Sequence, residues 1–485
     1  MTAEQLSTLT YAVRGRVLGR YLGQLGLVLA ALTVVPLAVS IGMGDLAMAR
    51  RCGEVILLLT VACLPLTRLR TTGHLQVNEA LVVTALAFVL ASLVMSWPFM
   101  ALGLPFVDAW FEAVSGVTTT GLSTLATVAD KPPAFLFARA WMQWYGGLGI
   151  AVLWVALLFN HRFAMRRLVE SSGAESLVTT ARAHARRVLI IYGLLTVAGI
   201  AALLVLREDA FSAVTHVLSA VSTGGFSLHD DSLAGMGAER YALSALSLCG
   251  AVALPLYYLL YQRRWAAFIR DAELWALLAM TAAASLLLWL FLWRDGLAAG
   301  SAFGHAIVMG ISAQTTTGFS SLTVADLGAA AKWALLLAMF TGGCVGSTAG
   351  GIKMLRLLIF ARLLQLNLRR AASPAHAVVE PWLGGRILED DDIQRALLLI
   401  VLYGLGVAVS WLPFLLAGHA PLDALLEVVS ATGTVGLTSG ITSPDLATPL
   451  KLVLMADMLF GRVEFVALLV VLWPGSWLGK RDNAL

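Results

Sequence analysis

Four stretches of this chain carry hydroxyl residues running into a glycine: Thr118-Thr119-Thr120-Gly121, Ser222-Thr223-Gly224-Gly225, Thr315-Thr316-Thr317-Gly318 and Gly433-Thr434-Val435-Gly436. They agree in register. Two residues before the last glycine stands Thr119, Thr223, Thr316 or Thr434, and six before it stands Ser115, Ser219, Ser312 or Ser430. A large apolar residue follows (Leu122, Phe226, Phe319, Leu437), and then a hydroxyl residue (Ser123, Ser227, Ser320, Thr438). Such stretches can coordinate a cation, because stacked backbone carbonyls replace the hydration shell of potassium where four TVGYG loops meet. Glycine turns its carbonyl through angles that a residue with a side chain resists. Close helix packing would account for one Thr/Gly stretch, but not for four in register. A hydroxyl residue stands where a tetrameric channel has a second glycine, so the outer oxygen rings are expected to be less regular.

A second constellation is the run Thr341-Gly342-Gly343-Cys344-Val345-Gly346-Ser347-Thr348-Ala349-Gly350-Gly351-Ile352-Lys353. Each glycine destabilises a helix by about 1 kcal/mol relative to alanine, so this run predicts a loop inside an otherwise apolar helix. A phosphate-binding loop is disfavoured by the absent GK[ST] ending and the lack of a preceding strand. Arg462 lies deep in an apolar segment, where a charged residue faces the protein interior or a water-filled path. Its candidate partners are loop carbonyls, Asp457 and Glu464. Glu112 and Glu427, nine residues before their glycines, match His216 and Met309 in the other copies. They cannot form a fourfold ligand ring and are expected to buttress the stretches locally.

The elements that must position these residues follow from composition. With 59% hydrophobic and 13% charged residues in 485, the chain reads as an all-α polytopic membrane protein. Spans at 21–41 and 53–67 form a prefix, the first read as retained rather than as a cleaved signal. Each copy then has a long helix, a short apolar piece (106–117, 211–221, 301–313 or 422–431) and a second long helix. The short pieces reach only about half way across a bilayer core of about 30 Å, so they enter and turn back. Asp108, Ser212, His305 and Asp423, thirteen residues before the glycines, are expected to open them, the aspartates and the serine as N-caps. The expected architecture is two extra N-terminal helices plus four fused helix–pore loop–helix repeats around one pseudo-fourfold pore, ten spans in all. The units are 1–72, 73–175, 176–270, 271–385 and 386–485. Of the 33 Lys and Arg, 23 fall on the side holding both termini and 9 on the other, which puts the termini in the cytoplasm. The same distribution argues against nucleic-acid binding. Glu208, Asp209, Asp230, Asp231 and Asp326 would form a mild acidic collar outside, and the four cysteines read as packing residues.

The four stretches, the run 341–353 and Gly461-Arg462 with Glu464 resemble the membrane subunit of Trk-type bacterial potassium uptake systems, in the Trk/Ktr/HKT superfamily. The resemblance covers nearly the whole chain. It implies K+ as the bound and transported ion, no organic cofactor, and location in the bacterial inner membrane. It also implies a homodimer with one pore per subunit and a cytoplasmic regulatory ring that binds NAD(H) or ATP/ADP. On this resemblance the run containing Gly342, Gly343, Gly346, Ser347, Thr348, Gly350, Gly351 and Lys353 is an intramembrane gate, with Arg462 beside it. A membrane enzyme is disfavoured, since the eight histidines are scattered without HExxH or similar spacing. A secondary transporter, a symporter coupled to sodium or protons, would also use broken helices, but four parallel copies favour a pore over an inverted pair.

Overall fold

The computed structural model describes residues 12–71, 76–158, 177–372, 374, 381–384, 386–463 and 465–478, and these are mostly helical. Among the described residues the first helices are α1 (Gly15–Gly42) and α2 (Leu46–Thr67), packed against each other. Asp45 caps α2 by accepting from the Met48 amide at 3.0 Å. The second span therefore starts well before residue 53, and its 22 residues reach about 33 Å at 1.5 Å each.

The first copy is built from α3 (Val77–Phe99), α4 (Phe106–Val117) and α5 (Pro133–Leu158). The second comprises α6 (Leu177–Val205), α7 (Ala210–Val221), α8 (Glu239–Ala251), α9 (Tyr257–Tyr261) and α10 (Trp265–Ile269). The third comprises α11 (Ala272–Arg294), α12 (Ala299–Gln314), α13 (Ala329–Thr341) and, beyond the glycine run, α14 (Met354–Ala371). A hairpin of β1 (Trp382–Leu383) and β2 (Arg386–Ile387) leads to α15 (Asp390–Leu416), α16 (Pro421–Thr432), α17 (Thr448–Val463) and α18 (Phe465–Leu472). Glu464 lies outside the described residues, as do much of the basic stretch 162–187 and three of the four unit boundaries. Five of the described helices are long and apolar enough to cross a bilayer, or six if the bent α8 and its continuation count as one.

The short helices α4, α7 and α16 bury most of their residues, and α12 buries half, including Ser312, Ala313 and Gln314 at its end before the ring. The long helices keep exposed apolar faces, such as Leu57 and Val61 on α2 and Val409 and Leu412 on α15, as lipid-facing helices must. Half-helices at the centre and apolar helices outside follow from where chain ends and polar stretches can be satisfied.

Two expectations need correction. The second long helix of the second copy, expected to be continuous, ends at Ala251 and bends by 88°. Val252 is extended at φ −76° and ψ 144°, and Pro255 cannot continue the ladder. The expected N-caps are also wrong. Asp209 caps α7, accepting from Phe211 and Ser212 amides at 2.9 and 3.2 Å, and Ser212 sits inside the helix. His305 lies well inside α12, opposite Ser321 Oγ at 3.0 Å.

Asp108 and Asp423 sit in first turns and pair with lysines of other copies. Lys332 on α13 meets Asp423 at 2.8 Å, and Lys451 on α17 meets Asp108 at 2.6 Å. These two lysines and Arg139, counted with the outer loops in the charge tally, are thus helix-borne and paired rather than topogenic. The Lys451 bond joins the fourth copy to the first and closes the circle. Lys451 is buried and Asp108 partly so, and removing one partner leaves the other unsatisfied at a cost of about 1–3 kcal/mol. Lys451→Met should therefore lower the unfolding temperature in detergent, and adding Asp108→Leu should recover part of the loss.

Candidate functional site

The four short helices end alike. Their C-cap residues Thr118, Ser222, Thr315 and Gly433 are right-handed at φ −81°, −78°, −81° and −76°. The next residues, Thr119, Thr223, Thr316 and Thr434, are left-handed at φ 55°, 53°, 56° and 49°. Alternating hands turn successive carbonyls to one side, where an ordinary strand would alternate them. The left-handed region costs a β-branched residue roughly 1–2 kcal/mol, so each threonine is strained and held by its surroundings. Holding is the same in all copies: Thr120, Gly224, Thr317 and Val435 donate their amides to the carbonyls of Ser115, Ser219, Ser312 and Ser430 at 2.8 to 2.9 Å.

Gly121, Gly225, Gly318 and Gly436 follow with φ 93°, 77°, 86° and 97°. A Cβ on Gly121 would run into the carbonyl of Gly224, one on Gly225 into that of Thr317, one on Gly318 into that of Val435, and one on Gly436 into that of Thr120. Each glycine therefore packs on the next copy's carbonyl, and the fourth packs on the first. The four stretches close into one ring in chain order. All four glycines line a single polar mouth with Asp230 and Asp231. Asp230 is a tie as well as a charge there, accepting from the Val128 amide at 2.5 Å.

Side chains behind the ring fix the segments that leave it. Glu112 accepts from Ser123 Oγ and the Thr124 amide at 2.7 and 2.9 Å, and Glu427 from Thr438 Oγ1 and the Ser439 amide at 2.5 and 2.8 Å. His216 stands 3.4 Å from Ser227 Oγ and accepts from the Leu228 amide at 3.4 Å. The serines six before the glycines divide. Ser115 and Ser430 accept the amides of Gly121 and Gly436, both at 3.0 Å, whereas Ser219 donates to Gln143 at 2.6 Å.

The glycine run crosses the inner end of the ring. Gly350 donates its amide to Thr316 Oγ1 at 2.6 Å, Gly351 donates to the Gly433 carbonyl at 3.1 Å, and Thr348 Oγ1 lies 3.3 Å from Thr223 Oγ1. Gly342 accepts from Gln314 Nε2 at 2.8 Å. The break in the second inner helix gives the run its dock: Cys344 and Thr348 donate amides to the carbonyls of Ala251 and Gly250 at 3.0 and 3.2 Å, and Gly346 accepts from Leu254 at 3.1 Å. Glu273 of α11 accepts the Val345 amide at 2.9 Å. Ser347 folds back on the Cys344 carbonyl at 2.6 Å. Gly343 packs against Ala349 and Ala251, and Lys353, at φ 79°, donates to the Ala349 carbonyl.

Arg462, 3% exposed, donates to the Thr348 carbonyl at 2.7 Å and to the Gly146 carbonyl of α5 at 3.1 Å. Of its expected partners the loop carbonyl is met. Asp457 is not a partner, because it turns the other way and accepts from Ser410 Oγ at 2.6 Å.

Three features were missed in the sequence. Gly146, Gly250, Gly343 and Gly461 all stand 25 residues after their ring glycines. A Cβ at 146, 250 or 461 would strike the carbonyl of Val117, Val221 or Thr432 at the end of the short helix, so this register, had it been counted, marks where inner helices cross. Arg139 and Gln143 on α5, polar residues deep in an apolar segment, carried the same signal as Arg462. The break after Ala251 had a signal in Pro255, which cannot continue a helix, but nothing in the sequence marked the break as a dock for the glycine run.

The cation transport protein family TrkH matches residues 51–474. The chain is 30% identical over 427 residues to the Trk system potassium uptake protein TrkH of Salmonella typhimurium, covering 84% of this chain and 88% of that protein. The Escherichia coli protein of the same name is 30% identical over 424 residues, covering 84% and 87%. The crystal structure of the potassium transporter TrkH from Vibrio parahaemolyticus superposes with a TM-score of 0.84 at 27% identity, covering 95% of this chain and 99% of that one. With the closed ring of four copies, these matches establish that the chain belongs to the TrkH family of cation transport proteins, which are transporters and not enzymes.

Proposed function

We propose that this chain takes up potassium across the bacterial inner membrane through the ring, which acts as the selectivity filter, and that the run 341–353 with Arg462 is its gate. The observation that carries the reading is the ring itself, in which each glycine rests on the next copy's carbonyl. Left- and right-handed residues in alternation aim carbonyls at a common axis, and that is a cation site. Thr119 Oγ1 and Thr434 Oγ1 are buried and have no hydrogen-bond partner among the described residues. The lone pairs of these oxygens would be free to coordinate a potassium ion at the inner end. The relatives from Salmonella typhimurium and Escherichia coli are potassium uptake proteins, which agrees with this cargo.

On this reading the four short helices are re-entrant pore loops, the chain has ten spans divided as the repeats suggest, and both termini are cytoplasmic. The subunit forms a homodimer, contacts membrane lipids and docks a cytoplasmic regulatory ring that binds the nucleotide. A transporter coupled to sodium or protons is the alternative. It requires one half to rock against the other, and the ring joins every copy to the next, which favours a pore. The test is rubidium, potassium and sodium flux into proteoliposomes holding the purified chain: saturable K+ and Rb+ uptake supports a filter, and uptake that needs a sodium or proton gradient supports the alternative. The chain alone is expected to bind no nucleotide, which equilibrium dialysis with ATP and NADH would check.

A further inference from the structure

The second filter stretch lacks a bond that two others have. In the first and third, the residue before the glycine is a threonine whose hydroxyl meets that of the threonine two residues earlier: Thr118 with Thr120 at 2.8 Å, and Thr315 with Thr317 at 2.7 Å. In the second that place is taken by Gly224, and a Cβ there would overlap the carboxamide of Gln143. Gln143 reaches in from α5 and is 0% exposed. Its Nε2 donates to the Gly224 carbonyl at 2.5 Å, and its Oε1 accepts from Ser219 Oγ at 2.6 Å and from the Phe226 amide at 3.2 Å. One side chain thus holds the half-helix, the ring carbonyl and the residue beyond the ring glycine.

Arg139 lies one turn earlier on the same face. Its Nη2 lies 2.9 Å from Glu112 Oε2, and its guanidinium carbon lies 3.7 Å above the Phe226 ring. Phe226 is therefore gripped at its ring by Arg139 and at its amide by Gln143. Counted from the ring glycines, the places of Arg139 and Gln143 hold Leu243 and Ser247 in the second copy, Leu336 and Phe340 in the third, and Leu454 and Met458 in the fourth. The pair belongs to the first copy alone, and it acts on the stretch of the second.

We infer that Gln143 is a positioning residue for ion discrimination: it fixes the peptide plane of Gly224, whose carbonyl is one of the four in the ring. The inference rests on the ring being the filter. Among the described residues, Gly224 is the one member of Thr120, Gly224, Thr317 and Val435 whose carbonyl accepts a protein hydrogen bond. An oxygen so engaged presents one lone pair to an ion and cannot swing toward a smaller one. Glycine has the freest backbone of any residue, so without this bond the plane at Gly224 is the first in the ring to flip. The filter is then asymmetric by construction, with rigidity in the second stretch borrowed from another repeat.

The test uses the full chain in proteoliposomes, with rubidium uptake and its inhibition by sodium as readouts. Gln143→Ala should raise KM for Rb+ and lower K+ over Na+ discrimination about tenfold, the worth of one buried hydrogen bond, with Vmax falling less. Gly224→Thr in the Gln143→Ala background should restore much of the discrimination, since the new hydroxyl can reach Ser222 as Thr120 reaches Thr118. The same Gly224→Thr in the parent should impair uptake, because Gln143 fills that space. A merely structural residue would not show this reciprocal rescue. Gln143→Glu, nearly isosteric but lacking the donor, is the second variant should alanine fail to insert; it too should lose discrimination. If Gln143→Ala or Gln143→Glu inserts normally and discriminates as the parent does, the inference is overturned. If the parent itself shows no preference for K+ or Rb+, the filter reading fails instead.

Discussion

Gly318→Ser should lower the apparent potassium affinity roughly thirtyfold while the protein still inserts in the membrane. Two costs combine. Gly318 sits at φ 86°, where a side chain costs roughly 1–2 kcal/mol, and its new Cβ would be driven into the Val435 carbonyl and the Gly436 backbone. Those neighbours are main chain and cannot rotate aside, so the fourth stretch must move and one carbonyl leaves the ring. A total of about 2 kcal/mol is roughly thirtyfold in a binding constant. Gly225 should behave similarly, because its added Cβ presses as deeply on Thr317. Gly44 provides the control: it has φ 77° with no atom near its Cβ position, and Gly44→Ser should leave uptake unchanged. Rubidium uptake at graded external concentration separates affinity from maximal rate. Parental affinity in all four ring-glycine variants would remove the ring from the transport path.

Arg462→Ala should raise basal flux severalfold in the absence of any regulatory partner. The guanidinium ties the Thr348 carbonyl to that of Gly146, so it joins the glycine run to the first copy's inner helix. Hydrogen bonds from a charged donor contribute about 1.5–3 kcal/mol each. Without them the loop keeps its bonds to Thr316, Gly433 and the dock at Gly250 and Ala251, so opening becomes more frequent and the loop does not dissolve. On the proposed reading, the lost positive charge also removes a barrier to a cation beneath the ring. Lysine at 462 retains charge but not the fork that reaches two carbonyls, and should give intermediate flux. Deleting Gly346 to Ala349 removes the Thr348 contacts altogether and should give the largest flux. Should both variants fold and conduct no faster than the parent, the run is packing and the gate lies elsewhere.

What the chain declares by itself is local and repeated. The four glycines, the threonines two before them and the serines six before them are all legible, and the half-helix limits expected at 106–117 and 211–221 lie within a residue of α4 and α7. The helix break at 342 was legible because five close glycines make a helix unfavourable whatever surrounds it. Tertiary structure alone decided how the copies are joined. Gln143 meets Gly224 across 81 residues, Thr348 meets Gly250 across 98, and Arg462 meets Gly146 across 316. The spacing of a repeat records what each copy does to itself, since those contacts recur. A bond made once, between unlike places in different copies, leaves no period in the sequence. The capping error lies in where the helices start: α4 and α16 begin at Phe106 and Pro421, so Asp108 and Asp423 already sit in first turns, and lysines delivered by other copies claim their carboxylates there.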